Sequence, residues 1–137
     1  MNCAAGVTVL FDTDVLIFAQ QGSMAAKAAI LKDEKRQISV QTLLELLQTN
    51  RGKAEHRLIK EFLRDLAFAV LPLTENIGHR AAVYMEEYGP STGLQAGDAI
   101  IAATAVEGGL VMMSGNAKHF KAIKELQFQA LKVGRVL

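Results

Sequence analysis

The sequence has a single cysteine, no large excess of one charge sign, and no apolar run long enough to span a bilayer. Because Cys3 is alone, it excludes an intrachain disulfide and a cysteine-based zinc site, and it favours a reducing cytoplasm. The N-terminus lacks the basic region and long apolar core of a signal peptide. We therefore predict a cytoplasmic protein that does not associate with a membrane.

Half of the 137 residues are hydrophobic, which is enough to build one core. That length and composition predict a single domain over residues 1–137. The formal net charge of +1 argues neither for nor against nucleic acid. After Ser114 the chain carries one acid, Glu125, against five basic residues: Lys118, Lys121, Lys124, Lys132 and Arg135. This basic edge is either a phosphate contact or an ordinary solvated face.

Short β-branched runs alternate with helical patterns along the chain. We predict strands at 7–11, 37–40, 69–73, 110–113 and 128–133. We predict helices at 14–22 capped by Asp14, then at 23–31, 42–50, 53–68, 74–88, 94–107 and 116–123, with a loop over 89–93. Such alternation indicates an α/β fold with a parallel sheet covered on both faces.

Four polar residues border or interrupt apolar runs: Asp12, Glu45, Asp98 and Asn116. A carboxylate beside buried apolar surface is costly unless something compensates its charge. Three such carboxylates that converge repel one another and require a cation, for which Mg²⁺ or Mn²⁺ suits oxygen ligands. In parallel sheets ligands bind beyond the carboxyl ends of the strands, where Asp12 and Asn116 fall. The pattern predicts a metal site that acts on a phosphate ester.

Each of the four also has a structural explanation. Asp12 and Asn116 are each able to cap the helix that follows. Glu45 is either a solvent-facing helix residue or the acid of a capping box that starts at Thr42. The helix macrodipole favours an acid at the position of Asp98 without any metal.

Two further residues, Asp14 and His119, have candidate roles at this site, and two other histidines have none. Asp14 is a helix cap, a partner of the metal ligands, or a further site carboxylate. His119 follows Asn116 by three residues, so it lies on the same side of a helical turn and is either a substrate contact or incidental. His56 and His79 have no matching partner and are predicted to be surface residues.

The segment Leu10-Phe-Asp12-Thr-Asp14-Val fits the D-x-D loop of haloacid-dehalogenase-type phosphatases, in which the first Asp is a nucleophile. The strand before Ser114 also resembles the second motif of that family. The match then fails, because that family requires a later acidic pair and this chain has no aspartate after Asp98.

A better match covers nearly the whole chain. The motifs Phe-Asp12-Thr-Asp14-Val-Leu-Ile, Thr42-Leu-Leu-Glu45-Leu, Gly-Asp98-Ala-Ile-Ile-Ala-Ala and Met-Ser114-Gly-Asn116-Ala-Lys-His119-Phe occur in this order. Together they resemble the PIN-domain ribonucleases, and most closely the small VapC-type toxins of toxin–antitoxin pairs.

This resemblance implies a PIN-like three-layer α/β/α sandwich with about five mostly parallel strands. It implies that Asp12, Glu45 and Asp98 hold Mg²⁺ or Mn²⁺, with Asn116 as the fourth catalytic residue and a homodimer and a cognate antitoxin as partners. The last motif of this chain departs from the family pattern. Ser114 keeps a hydroxyl where Thr is usual, and Gly115 lacks the basic side chain that is often found there. Asn116 is neutral where some members have Asp.

The resulting hypothesis is metal-assisted hydrolysis of RNA phosphodiester bonds. Ser114 and His119 are expected to orient water or phosphate, and Asp14 to position a ligand. The apolar helical segments 15–18, 43–47 and 58–66 exceed what one small core requires, so they serve either an antitoxin helix or ordinary packing. The alternative function is a catalytically weak or inactive RNA-binding or interaction module; a dehalogenase-like phosphatase ranks third.

Overall fold

A computed structural model describes residues 8–133, in which five parallel strands form one sheet in the order β3-β2-β1-β4-β5. The strands are β1 (Val9–Phe11), β2 (Arg36–Ser39), β3 (Phe68–Leu71), β4 (Val111–Ser114) and β5 (Phe128–Ala130). In the register, Leu10 pairs with Met112 on one side and with Gln37 on the other. The prediction of about five mostly parallel strands is therefore confirmed, and every strand pair in the described sheet is parallel.

Seven helices connect and cover these strands. They are α1 (Thr13–Gln20), α2 (Met24–Lys32), α3 (Val40–Thr49), α4 (Lys53–Asp65), α5 (Glu75–Thr92), α6 (Ala96–Glu107) and α7 (Ala117–Phe120). None of the helices in residues 8–133 is long and apolar enough to cross a membrane.

Two hydrophobic cores lie on opposite faces of the sheet, because successive strand side chains point in opposite directions. Val9 and Phe11 pack against α1 to α4, whereas Leu10 and Met112 pack against α5, α6 and the residues around Phe120. This arrangement is a three-layer α/β/α sandwich, as the resemblance to PIN domains implies.

The predicted cap of α1 is wrong, and of the alternatives left open the Asp12 cap forms and the Thr42 capping box does not. Helix α1 is capped by Asp12 and not by Asp14, because the Asp12 carboxylate accepts the backbone N–H of Thr13 at 2.8 Å. Helix α3 is capped by Ser39, whose Oγ accepts the N–H of Gln41, so the proposed capping box that starts at Thr42 does not form. Thr42 lies inside the helix and is fully buried.

The predicted loop over 89–93 is also wrong, because α5 continues through Pro90 to Thr92. The hydroxyl of Thr92 donates to the carbonyl of Tyr88 at 2.7 Å, and Gly93 ends the helix with a left-handed φ of 76°. Other predicted boundaries shift by a few residues; β5, for example, ends at Ala130 rather than at residue 133. Cys3, Arg135 and the Val7 end of the first predicted strand lie outside the described residues.

Candidate functional site

The acidic residues singled out from the sequence lie in one cleft of about 360 Å³. Its lining residues are Asp12, Thr13, Asp14, Ile17, Glu45, Gln48, Thr49, Asp98 and Asn116. Asp12 follows β1, and Asn116 follows the neighbouring strand β4. The chain runs from β1 to β2 through α1 and α2 on one face of the sheet, whereas it reaches β4 from β3 through α5 and α6 on the other face. A crevice therefore opens at this carboxyl edge between β1 and β4.

Asp12 lies at the base of the cleft and is only 6% exposed. One carboxylate oxygen accepts the N–H of Thr13, and the other accepts the hydroxyl of Ser114 at 2.8 Å. Ser114 is fully buried at the end of β4, and its Oγ in turn accepts the N–H of Asn116 at 3.0 Å. The hydroxyl of Ser114, which stands where relatives usually have Thr, therefore holds the Asp12 carboxylate in place.

Asp14 points towards the same strand end. Its Oδ2 accepts the N–H of Gly115 at 3.0 Å, whereas its buried Oδ1 has no hydrogen-bond partner among the described residues. A Cβ at position 115 would lie 3.0 Å from Oδ2 of Asp14 and 3.1 Å from the ring of Phe18. Glycine in the middle of the Ser-Gly-Asn motif thus permits Asp14 to approach closely.

Glu45 reaches the cleft from the second turn of α3. Its Oε1 accepts the hydroxyl of Thr13 at 2.5 Å, and its Oε2 accepts the side-chain amide of Gln41 at 2.9 Å. A Cβ at Gly97 would lie 2.3 Å from Oε2 of Glu45. The predicted acid is therefore partly buried and hydrogen-bonded, and it occupies space left by a glycine of α6.

Asp98 enters from the first turn of α6. Its Oδ2 accepts the N–H of Gln95 at 3.1 Å, so it stabilises the helix start through a capping box that was not predicted for it from the sequence. The same oxygen lies 3.0 Å from Nδ1 of His119, which is also 3.0 Å from the Asn116 side chain. His119, in the fourth motif, thus contacts Asp98 of the third motif directly.

Asn116 occupies the N-cap position of α7, but its side chain does not cap that helix. Of the other histidines, His79 is exposed, as predicted. His56 is partly buried, and its Nε2 lies 2.9 Å from the carbonyl of Leu47, so its prediction as a plain surface residue is wrong.

Burial, followed by the negative charge of Asp14, raises the pKa of Asp12 to about 7. Burial also raises the pKa of Asp14, against hydrogen bonds from Gly115 and Ser114 that lower it. For both carboxyl groups, removal from water is the main cause of the raised pKa, and the negative charge of neighbouring carboxylates is secondary.

The side chains that line the cleft are of the type that binds a divalent cation. Four carboxylates line the cleft, a buried oxygen of Asp14 has no partner, and oxygen ligands suit Mg²⁺ and Mn²⁺. Within residues 8–133, however, no three acidic or histidine side chains are placed to hold one ion as they stand. Glu45 is turned towards Thr13 and Gln41, and Asp98 towards His119. Direct ligation by Asp12, Glu45 and Asp98 together thus requires side-chain rotation.

Sequence reasoning missed the neutral residues of the cleft. Thr13 donates to Glu45 and also lies 3.1 Å from the buried hydroxyl of Thr42, and it stands between the two aspartates of the first motif. Gln41 and Gln48 lie on the Glu45 side of α3, at positions four before and three after it. That helical spacing was visible in the sequence and would have identified both glutamines.

The model of the PIN domain family matches residues 9–126. Among solved structures, the chain is similar to a toxin–antitoxin complex from Klebsiella pneumoniae, with 25% identity, a TM-score of 0.76, and coverage of 94% of this chain and 100% of that one. It is also similar in fold to DNA-bound VapBC from Salmonella typhimurium, with 21% identity, a TM-score of 0.76, and coverage of 92% and 99%. No curated protein sequence matches the chain.

Proposed function

The chain belongs to the PIN domain family, and from this premise we propose that it is a metal-dependent endoribonuclease that hydrolyses RNA phosphodiester bonds. The observation that carries the proposal is the meeting of Asp12, Asp14, Glu45 and Asp98 in one cleft. A site this acidic repels a phosphate backbone unless a cation intervenes. PIN domains are generally nucleases, which agrees with such a site.

We propose that Asp12, Glu45 and Asp98 hold Mg²⁺ or Mn²⁺. When bound, the ion lowers the pKa of water and neutralises charge on the phosphate oxygens. Ser114 keeps Asp12 oriented through its 2.8 Å hydrogen bond. Thr13 and Gln41 hold Glu45 in the metal-free protein, and Glu45 would exchange these hydrogen bonds for the ion. Asp14 accepts the Gly115 N–H and thereby fixes the start of the Ser-Gly-Asn turn. Asn116 and His119, at the rim beside Asp98, are placed to orient water or a phosphate oxygen.

We further propose that the protein is the toxin of a type II toxin–antitoxin pair and acts in the cytoplasm. The Klebsiella pneumoniae neighbour is described as a toxin–antitoxin complex. Several leucines and a methionine remain exposed on α2, α3 and α4: Met24 at 76%, Leu31 at 61%, Leu44 at 52% and Leu58 at 64%. Apolar side chains exposed on neighbouring helices suit an amphipathic partner helix. A homodimer is the second proposed assembly.

A non-catalytic RNA-binding module is the second candidate function. It is favoured by the neutral Asn116 and by a cleft in which, over the described residues, no three carboxylates are positioned around one ion. A dehalogenase-type phosphatase has no support, because the chain belongs to a different family.

The experiment that tests the proposal is cleavage of a mixed pool of structured RNAs with Mg²⁺ or Mn²⁺, against EDTA and against Asp98→Asn. We expect cleavage by the wild type that both controls abolish, because each removes part of the metal site. Asp65→Asn, at an exposed position of α4, is the matched control and should cleave like the wild type. Cleavage that persists in EDTA or in Asp98→Asn would contradict the assignment. A folded wild type that binds RNA without cutting it would favour the binding module.

A further inference from the structure

Helix α4 carries a row of cations along one side. Lys53, Arg57, Lys60 and Arg64 are separated by four, three and four residues, and all four are exposed. This spacing places them on one helical face, which we call the basic stripe. With a rise of about 1.5 Å per residue, the stripe runs for about 16 Å along the axis.

The opposite side of α4 is anchored. Ile59 and Leu63 are buried against the core, and Phe62 and Leu66 pack beside them. The helix therefore cannot rotate to bury the stripe, and its cations keep a fixed spacing.

The acids of α4 leave most of this charge uncompensated. Glu55 folds back over the helix start, where its carboxylate fills the space beside Gly52. Asp65 lies 3.3 Å from Arg64 in a solvent-exposed pair, which neutralises little at physiological salt. Glu61 is the one acid that lines the same shallow surface pocket as the stripe.

The stripe begins close to the acidic cleft. Gln48 and Thr49 form part of the cleft wall, and Lys53 follows Thr49 by four residues, a Cα separation of at most about 15 Å. Arg51 lies between them, and its Nε donates to the carbonyl of Gln48 at 3.3 Å. His56 also ties α4 to the carbonyl of Leu47 in α3. Basic side chains thus continue from the cleft rim onto α4.

We infer that the basic stripe of α4, continued from the rim by Arg51, binds the phosphate backbone of an RNA strand that extends out of the acidic cleft. The inference rests on the proposed function for the identity of the polyanion. A nucleic acid carries one phosphate per nucleotide, so a surface of this length meets several in succession. Contact with phosphates alone adds affinity without sequence preference. The cleft supplies the cutting site, and the stripe holds RNA beyond it.

Binding of a fluorescent single-stranded RNA, measured in EDTA over a salt series, tests this inference separately from cleavage. The variant carries Lys53→Gln, Arg57→Gln, Lys60→Gln and Arg64→Gln. The control carries three changes at exposed lysines outside both the stripe and the basic C-terminal edge: Lys27→Gln, Lys32→Gln and Lys35→Gln. We expect the stripe variant to bind at least about tenfold more weakly, and its slope of log affinity against log salt to fall by about 3, at about 0.7 per lost contact. The control should bind like the wild type.

Two further variants sharpen the result. Arg57→Gln with Lys60→Gln should lower the salt slope by about 1.4, which keeps the test valid if four changes impair folding. Glu61→Gln should strengthen RNA binding, because it removes the acid beside the stripe.

An unchanged slope in the stripe variant, or an equal loss in the control, would overturn the inference. It would also be overturned if polyglutamate bound the stripe more tightly than RNA, since the partner would then be an acidic protein segment. Stripe-dependent binding by a wild type that cuts no RNA would keep the inference and reject the proposed nuclease.

Discussion

Asp12 is the residue at which burial and charge conflict most directly. It is 6% exposed, it caps α1, and it accepts the hydroxyl of Ser114, yet its pKa is raised to about 7. A carboxyl group that binds a proton near neutral pH is poised to exchange that proton for a cation. At residue scale, therefore, the protein retains an unfavourable buried acid, which is typical of a functional site.

Replacing Asp12 by Asn should stabilise the metal-free protein. Because the folded pKa of about 7 lies above the ordinary value of 3.8, the folded state binds the extra proton, and the destabilisation grows as pH rises from about 4 to 7. We expect Asp12→Asn to raise the free energy of unfolding by about 2–4 kcal/mol at pH 8, where the penalty is complete. Below pH 4, where Asp12 is protonated in both the folded and the unfolded state, the two proteins should have the same free energy of unfolding.

Urea unfolding at both pH values checks this prediction. Asn remains able to cap α1, so the cap is not lost in the variant. Asp65→Asn, at an exposed site, should change stability little at either pH. A loss of stability at pH 8 in Asp12→Asn would show that the charge is compensated in the folded protein.

At the scale of elements, α3 and α6 meet where Gly97 leaves room for the Glu45 carboxylate. Glycine inside a helix normally costs about 1 kcal/mol relative to alanine. Its presence in the first turn of α6 is explained by the approach of Glu45, with Gln41 nearby. The two helices therefore place two of the proposed metal ligands, Glu45 and Asp98, at one junction.

Gly97→Ala should raise the stability of the metal-free protein and at the same time lower its affinity for Mn²⁺. The added Cβ displaces the flexible end of Glu45, so we expect the helix gain of up to about 1 kcal/mol to persist while Mn²⁺ affinity falls about tenfold or more. Gly78→Ala in α5 is the matched control, since nothing lies within 4 Å of its Cβ. Calorimetric titration with Mn²⁺ together with thermal unfolding separates the two effects. If both variants bound Mn²⁺ with equal affinity, Glu45 would not be a metal ligand.

At the scale of the whole molecule, residues that are far apart in the sequence converge; Ser114 and Asp12, for example, are 102 positions apart. β1 lies at the centre of the sheet, with β2 on one side and β4 on the other, so the ends of β1 and β4 bring the first and last motifs together. Helices α3 and α6 then add Glu45 and Asp98 from opposite faces of the sheet.

A bound cation should therefore stabilise the whole fold. Asp12, Glu45 and Asp98 come together only in the native state, so an ion that they hold would bind the folded protein and not the unfolded chain. By mass action it would raise the free energy of unfolding by about 2.7 kcal/mol at a hundredfold excess over Kd. We expect Mg²⁺ or Mn²⁺ to raise the Tm of the wild type. The rise should be smaller at pH 5 than at pH 8, because Asp12 is then protonated.

Differential scanning fluorimetry with and without the cation measures this effect. Asp12→Asn should show no metal-dependent rise, although its Tm without metal is higher than that of the wild type. The same rise in both proteins would place the cation elsewhere on the molecule.

The sequence by itself determined the alternation of strands and helices, because apolar periodicity and local caps such as Ser23 and Thr74 act over a few residues. It also singled out Asp12, Glu45 and Asp98, because charges beside apolar runs are costly wherever they occur. Only the tertiary structure decided that Asp12 rather than Asp14 caps α1, since that choice depends on Ser114 and Gly115 at the end of β4. Likewise, the bond of Thr13 to Glu45 and the space at Gly97 depend on how distant elements pack, which no local pattern encodes.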